Sequence, residues 1–309
     1  MIERSGEHRA GRHRSGSTAY KPVLSESFVT FGRMAAGAVG RAGLLSAVVA
    51  AAATSAFAAD PYADSVISYV AGGGAAGPYS NSSVVLGSPE RFTGEGVFPS
   101  VVTPFNPAFG VNEIINITSG GSIVVRFDEP IVDDSNNPFG IDLIVFSNTF
   151  FVDDDYPFGL VSGVFGASQS GRLDVSVNGV DWVEVNSARP DSLFPTLGYS
   201  DLSDPYALVA GAIESDFTKP VNPAFNPLGA TYAQVQAAYD GSGGGTGVDL
   251  AGTGLLSISY VRVRNVGTSG ALQIDAFSDV SAVPAPAAWL ALAPLACATI
   301  SRRRKRVKR

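Results

Sequence analysis

RLDVSVNGVDWVEV, residues 172–185, decides how the rest of the chain is read. Leu173, Val175 and Val177 fall on one side of an extended chain, and Asp174 and Ser176 on the other. That period of two belongs to a half-buried strand and not to a helix. Asn178-Gly179 is a pair suited to a type I′ turn, whose two central residues both need positive φ. Val180-Asp181-Trp182-Val183-Glu184-Val185 then resumes the extended pattern, so the stretch reads as a hairpin, with Trp182 most simply a packing residue.

Similar runs lie on both sides. Ser122–Phe127, Ile141–Phe146 and Ser257–Arg264 are rich in Val, Ile, Phe and Tyr and are separated by Gly, Asn, Asp and Pro clusters. Only Ala233–Tyr239 reads as a short helix. With 35 glycines and 19 prolines the chain is built for turns, not for helix bundles. The expected fold class is all-β, an antiparallel β-sandwich with long Pro/Gly-rich loops. About 220 residues between the two termini are ample for one such domain. From Asn186 to Gly247 alternation fades and six prolines appear (Pro190, Pro195, Pro205, Pro220, Pro223 and Pro227), as expected of excursions that decorate one end of the sandwich. PFNPAFG at 104–110 is echoed by NPAFNPLG at 222–229; two copies do not make a repeat array.

The formal net charge of −7 conceals a partition. Seven of the 21 basic residues precede Ala59 and seven fall in the last eight positions, leaving seven for the middle against 25 of the 28 acids, a balance of −18 there. Such a domain repels a phosphate backbone, which argues against nucleic-acid binding. Both histidines, His8 and His13, lie in the N-terminal basic stretch, and the one cysteine is Cys297. The middle therefore has no Ser-His-Asp triad, no Cys-His pair, no His or Cys zinc site and no disulfide. Carboxylate-pair chemistry and oxygen-ligand metal binding stay open.

The N-terminal basic stretch precedes an apolar run, Ala42–Ala53, that closes on Ala56-Phe57-Ala58. Small residues at those positions are what a signal peptidase reads, so residues 1–58 are expected to be a secretory signal peptide with an extended N-region, cleaved before Ala59. A buried Ala-rich helix or a retained membrane helix is the alternative. Translation from Met1 and from Met34 are both compatible with it. At the other end an apolar run from about Ala287 to Ile300, broken by Pro294, meets Arg302, Arg303, Arg304, Lys305 and Arg306. That run is shorter than the ~20 residues of a comfortable span. The basic block holds the C-terminal end on the cytoplasmic side and leaves the acidic domain outside.

Val283-Pro284-Ala285-Pro286, the apolar run and the basic cluster, in that order, resemble the PEP-CTERM sorting signal of exported bacterial proteins. The usual motif has Glu where this chain has Ala285. The resemblance implies a sorting tag over 283–309, with a short transmembrane helix, and an exosortase-type enzyme as its processing partner. Gly140–Asn148, Leu173–Trp182 and Val248–Ala251 resemble stretches of surface proteins that often carry this tag in environmental bacteria, and Tyr260-Val261-Arg262-Val263 and Ile274-Asp275-Ala276-Phe277 are similar to pieces near the end of discoidin-like jelly rolls, which are β-sandwich ligand-binding modules. This second likeness implies a jelly-roll-like extracellular domain over 59–282 and brings no active site with it.

Two sets of residues are candidates for chemistry. Acids flank the Ile141–Asn148 strand, and Asp133, Asp142, Asp153, Asp155 and Asp275 are candidate ligands for a structural calcium ion, which takes six to eight oxygens. Solvated loop charges and a glycosidase-like carboxylate pair are the competing readings. Phe150, Phe151, Tyr156, Phe158 and Phe165 crowd a Gly- and Asp-rich region; Phe151, Tyr156 and Phe158 are candidates for stacking on sugar rings, against the plainer reading that they anchor core or loops. Three function classes follow. The first is a non-enzymatic protein of the cell surface or extracellular matrix. The second is a carbohydrate-binding or adhesion module that captures extracellular polysaccharide. The third is a secreted carboxylate-dependent hydrolase.

Overall fold

The computed structural model describes residues 60–280, except 75, 97–99, 167–169 and 192–193. The expected signal peptide and sorting tag lie outside the described residues. Among the described residues no helix is long and apolar enough to cross a membrane.

The domain is mostly β, with antiparallel sheets and one short α-helix. Its strands are β1 (Ser65–Val70), β2 (Ile115–Thr118), β3 (Ser122–Val132), β4 (Leu143–Ser147), β5 (Phe150–Asp153), β6 (Val161–Phe165), β7 (Gly171–Ser176), β8 (Val183–Val185), β9 (Thr246–Val248), β10 (Ser257–Asn265) and β11 (Ala271–Asp279). They form a five-stranded sheet in the order β1-β3-β10-β7-β8, a four-stranded sheet in the order β2-β11-β4-β9, and the β5-β6 ribbon. Every ladder is antiparallel.

Alternation explains how the two large sheets meet. Ile123 and Val125 of β3, Leu173 and Val175 of β7 and Val261 and Val263 of β10 share one buried cluster with Ile115, Leu143, Val145, Ile274 and Phe277 of the other sheet. The inner faces enclose a common sandwich-like core. In β10 a bulge between Ile258 and Tyr260 shifts the parity, so that Ile258, Val261 and Val263 all reach this core while Arg262 and Arg264 point away from it.

Strand β4 is buried along its whole length. Leu143 and Val145 enter the sandwich core, whereas Ile144 and Phe146 join Ile141, Ala276 and Phe217 in a separate cluster on the opposite face. Phe217 meets Phe146 edge-on at 5.3 Å. Arg91 lies over the Phe217 ring at 4.3 Å and donates to the carbonyls of Gly198 and Ser215. The chain passes close under β4 at Gly245, where a Cβ would stand 2.3 Å from Ile144 Cγ2 and where φ is +86°. Glycine is required there on both counts.

The excursion between β8 and β9 thus does more than decorate one end. It builds a second core from Phe194, Leu197, Tyr199, Leu202 and Val221 with Phe105 and Phe151. The helix α1 (Tyr232–Tyr239) presents Tyr232, Val235 and Tyr239 to it. A reciprocal capping box starts this helix: the Gln234 N–H donates to Thr231 Oγ1, and the Thr231 N–H donates to Gln234 Oε1. The two echoed segments contribute alike, since Phe105 is buried in this second core and Phe225 packs on it.

One local expectation needs correction. The β7–β8 ladder closes at Val175 and Val183, so the hairpin has a longer loop than a two-residue turn. Gly179 has φ +74°, but Asn178 has no positive φ, which a type I′ turn requires. Instead Asn178 Oδ1 accepts from the N–H groups of Val180 and Asp181, both at 2.9 Å. This local side-chain turn carries Trp182 out of the strand and over Arg262, 4.3 Å from its guanidinium carbon.

Candidate functional site

The β4–β9 ladder, in which Leu143 pairs with Val248, sets Asp142 and Asp249 side by side at its end. Asp133 arrives from the end of β3, where its N–H donates to Leu256 O. One carboxylate oxygen from each of Asp133, Asp142 and Asp249 lies within 4.8 Å of the others. Asp142 is fully buried. Its Oδ1 accepts from the Asp134 N–H at 3.0 Å and from Asn137 Nδ2 at 2.9 Å, and its Oδ2 from the Leu250 N–H at 3.0 Å. Burial pushes its carboxyl above the usual range, and these hydrogen bonds only partly oppose that. Three carboxylates, two from the ends of the β3–β4 loop and one from the residue after β9, form an oxygen-only donor set. Such a set suits a hard cation such as calcium, with water and backbone carbonyls completing the shell.

The expected calcium set is thereby divided. Asp133 and Asp142 come together, and the third member is Asp249. Asp153, Asp155 and Asp275 serve elsewhere. Asp153, at the end of β5, caps its own turn: Oδ1 accepts from the N–H groups of Asp155 and Leu160, and Oδ2 from the Gly159 N–H and the Tyr206 hydroxyl. Burial opposes its ionisation, but those donors outweigh burial and hold the carboxyl below the usual range. Asp155 is exposed in that turn.

Asp275 sits in a bulge of β11 between Ile274 and Ala276 and is only 1% exposed. Both its oxygens face the Glu90 N–H at 3.3 Å. Burial first, and then the charges of Glu90 and Glu113, push it well above the usual carboxyl range. Glu90 is itself raised to about 7 by burial, by the Glu113 charge and by a hydrogen bond to Glu113. Asp275 and Glu90, both raised, hold protons in a cluster beside Glu113 that sequence reading did not anticipate. Their separation along the chain hides it: Asp275 comes 185 positions after Glu90.

The aromatic candidates also divide. Phe151 is a core residue, 1% exposed, with its ring edge-on to Phe105 at 5.7 Å, so it is not available to a ligand. Tyr156 and Phe158 are 73% and 71% exposed. Tyr156 leans on Tyr206 with ring centroids 4.9 Å apart. Phe158 forms one wall of an open cleft of about 470 Å³ whose other walls include Asp201, Ser203, Tyr232 and Gln236. An exposed ring facing hydroxyl, carboxylate and amide groups suits a polyol better than an apolar ligand. Phe150 and Phe165 pair across the β5-β6 ribbon at 4.9 Å.

No protein-family model matches this chain, and no curated protein matches it.

Two outcomes follow from these clusters. Millimolar calcium is expected to raise the melting temperature above that measured in EDTA, because a ligand that binds only the folded state stabilises it by mass action. Asp142→Asn should abolish the difference; equal melting with and without calcium in the unaltered chain would contradict the assignment. The second outcome concerns pH. Glu90 has a folded-state pKa of about 7, above an ordinary 4.5, so its contribution is fully present below about pH 4.5 and is lost as pH rises through 7. Melting scans in EDTA from pH 5 to pH 8 should show a falling midpoint that Glu90→Gln flattens. A midpoint whose pH dependence is the same in both chains would refute the proton-holding role.

Proposed function

We propose that this chain is an exported, non-enzymatic protein of the cell surface or extracellular matrix, with a jelly-roll-like sandwich as its working domain. The observation that carries the reading is the order of its parts. An apolar run ending Ala56-Phe57-Ala58 precedes an acidic domain without His or Cys, and a short apolar run and an arginine block follow it. In this reading signal peptidase removes residues 1–58, and 283–309 act as a PEP-CTERM-like tag on which an exosortase-type enzyme works. The tag holds the protein in the membrane only until processing, because the basic block is costly to draw through the bilayer. A divalent cation at Asp133, Asp142 and Asp249 would brace the loops at one end of the β4–β9 ladder.

One observation favours a second reading, a carbohydrate-binding or adhesion module. Tyr156 and Phe158 stand exposed on the turn after β5, beside the cleft that Phe158 walls with polar groups. Nothing comparable supports the hydrolase, since Asp153 is committed to its own turn and Asp275 is buried.

The test is the N-terminal sequence and intact mass of the envelope-associated protein. The expected mature form starts near Ala59 and ends near Val283–Pro286. A form that retains residues 1–50 would refute export by this route. One that retains Cys297 and the arginine block would make the tail a lasting anchor and not a tag.

A further inference from the structure

Residues 205–213, within the excursion between β8 and β9, carry no charge, although Asp204 precedes them and Glu214 follows. Leu208 and Val209 are 69% and 77% exposed, and Ile213 is exposed as well. Exposed apolar side chains gathered in one loop mark a contact surface, where scattered ones do not. The loop is held in place. Asp201 Oδ2 accepts from the Ala212 N–H at 2.8 Å, and Oδ1 from the Ile213 N–H at 3.1 Å. The Ser200 N–H donates to Ile213 O, and the Val101 N–H to Ala207 O, both at 2.9 Å. Asp204 Oδ1 caps the start of the loop by accepting from the Tyr206 N–H at 2.8 Å.

An open cleft of about 440 Å³ lies against this loop. Two segments line it, and they differ in chemistry. Asp201, Ser203 and Asp204 contribute from the preceding turn, and Ala207, Leu208 and Val209 from the loop. No basic residue lines it. The backbone N–H bonds from Ala212 and Ile213 hold the Asp201 carboxyl below the usual range, so it is ionised at neutral pH. Among the described residues neither Asp201 nor Asp204 forms a salt bridge. The domain has no cation to spare for them. Of its seven bases, Arg91, Arg126, Arg172, Lys219, Arg262 and Arg264 pair with other acids. The seventh, Arg189, donates to Ala188 O.

We propose that this cleft receives a lysine or arginine side chain of a protein partner, its aliphatic stem along Ala207, Leu208 and Val209 and its charged head at Asp201 and Asp204. Long basic side chains combine these two parts, laying the stem on apolar surface while the head keeps to a polar site. Ile213 is 60% exposed and lies outside the cleft, so the apolar surface continues past a single stem. That extension suits a polypeptide with apolar residues beside its basic ones better than a free polyamine. Charge disfavours the other occupants. With seven bases against 25 acids, the domain repels a second copy of itself, an anionic bilayer and a nucleic acid alike.

The probe is a dye-labelled peptide, Leu-Lys-Ala-Leu-Lys-Ala, titrated with the full chain in nonionic detergent and followed by anisotropy. Binding should saturate in low salt and weaken about tenfold in 0.5 M NaCl, because salt screens exposed charges. Gln in place of both peptide lysines should cost about as much. Diaminopropionate, which keeps the ammonium but shortens the stem, should cost about fivefold. Asp204→Asn still accepts from the Tyr206 N–H, so the melting temperature should hold while affinity falls about fivefold. Val209→Ser should also weaken binding, whereas Leu256→Ser, at an exposed leucine outside the loop, should not. No saturable binding, equal binding of the Gln peptide, equal affinity for spermidine, or unchanged affinity in Asp204→Asn would each overturn the proposal. So would an equal loss in Val209→Ser and Leu256→Ser. Displacement of the peptide by neutral cellohexaose would overturn it too, and would give the loop to the carbohydrate reading.

Discussion

Strand β4 has apolar neighbours on both faces, and that double burial is the constraint on which the rest of the domain hangs. Its inward residues Leu143 and Val145 close the sandwich core, while Ile144 and Phe146 receive Phe217 and Ile141 on the other side. A sheet in a two-layer sandwich ordinarily leaves one face to water. Here the excursion between β8 and β9 covers it. The same strand begins one residue after Asp142, whose buried carboxylate ties the Asp134 and Leu250 backbones together. The candidate cation site is therefore a direct outgrowth of this packing.

The charge distribution follows the same logic of layers. The covered face of the four-stranded sheet has no room for charge. Asp275 on β11 lies so deep that burial, and then the charges of Glu90 and Glu113, push its carboxyl well above the usual range. The five-stranded sheet faces outward on its other side, and the arginines gather there, with Asp174 buried beneath two of them. Burial and the guanidinium contacts of Arg264 and Arg262 act in opposite senses on Asp174; the guanidinium contacts prevail and hold its carboxyl below the usual range. One domain thus presents an acidic loop end and a sheet face on which arginines pair with Asp128, Asp174 and Glu184.

Much of the sandwich was legible from alternation. Ser122–Phe127, Arg172–Ser176 and Ser257–Arg264 became strands because one face of each is apolar, and Thr231 with Gln234 marks the start of the helix. The second core was not legible. It is assembled largely from aromatic residues outside the named strands, such as Phe105, Phe194 and Tyr199, with no period for sequence reading to detect. Of the cation site, Asp133 and Asp142 were visible as acids beside a strand. Asp249 was not, because only the β4–β9 register brings it alongside. The arginine face shows partly in the Arg262, Arg264 spacing, but its convergence with Arg172 and Arg126 depends on two ladders.

If β4 unites sandwich and excursion, the two must lose stability together. Native-state hydrogen exchange on Phe217→Ala measures this directly, since Phe217 touches β4 only from the excursion side. Truncating a buried phenylalanine costs about 3–5 kcal/mol. The expected result is an equal loss of protection at Val125 and Val261 in the sandwich and at Val235 in α1. Loss confined to the excursion, with Val125 and Val261 protected as before, would contradict the account and make the second core an independent appendage.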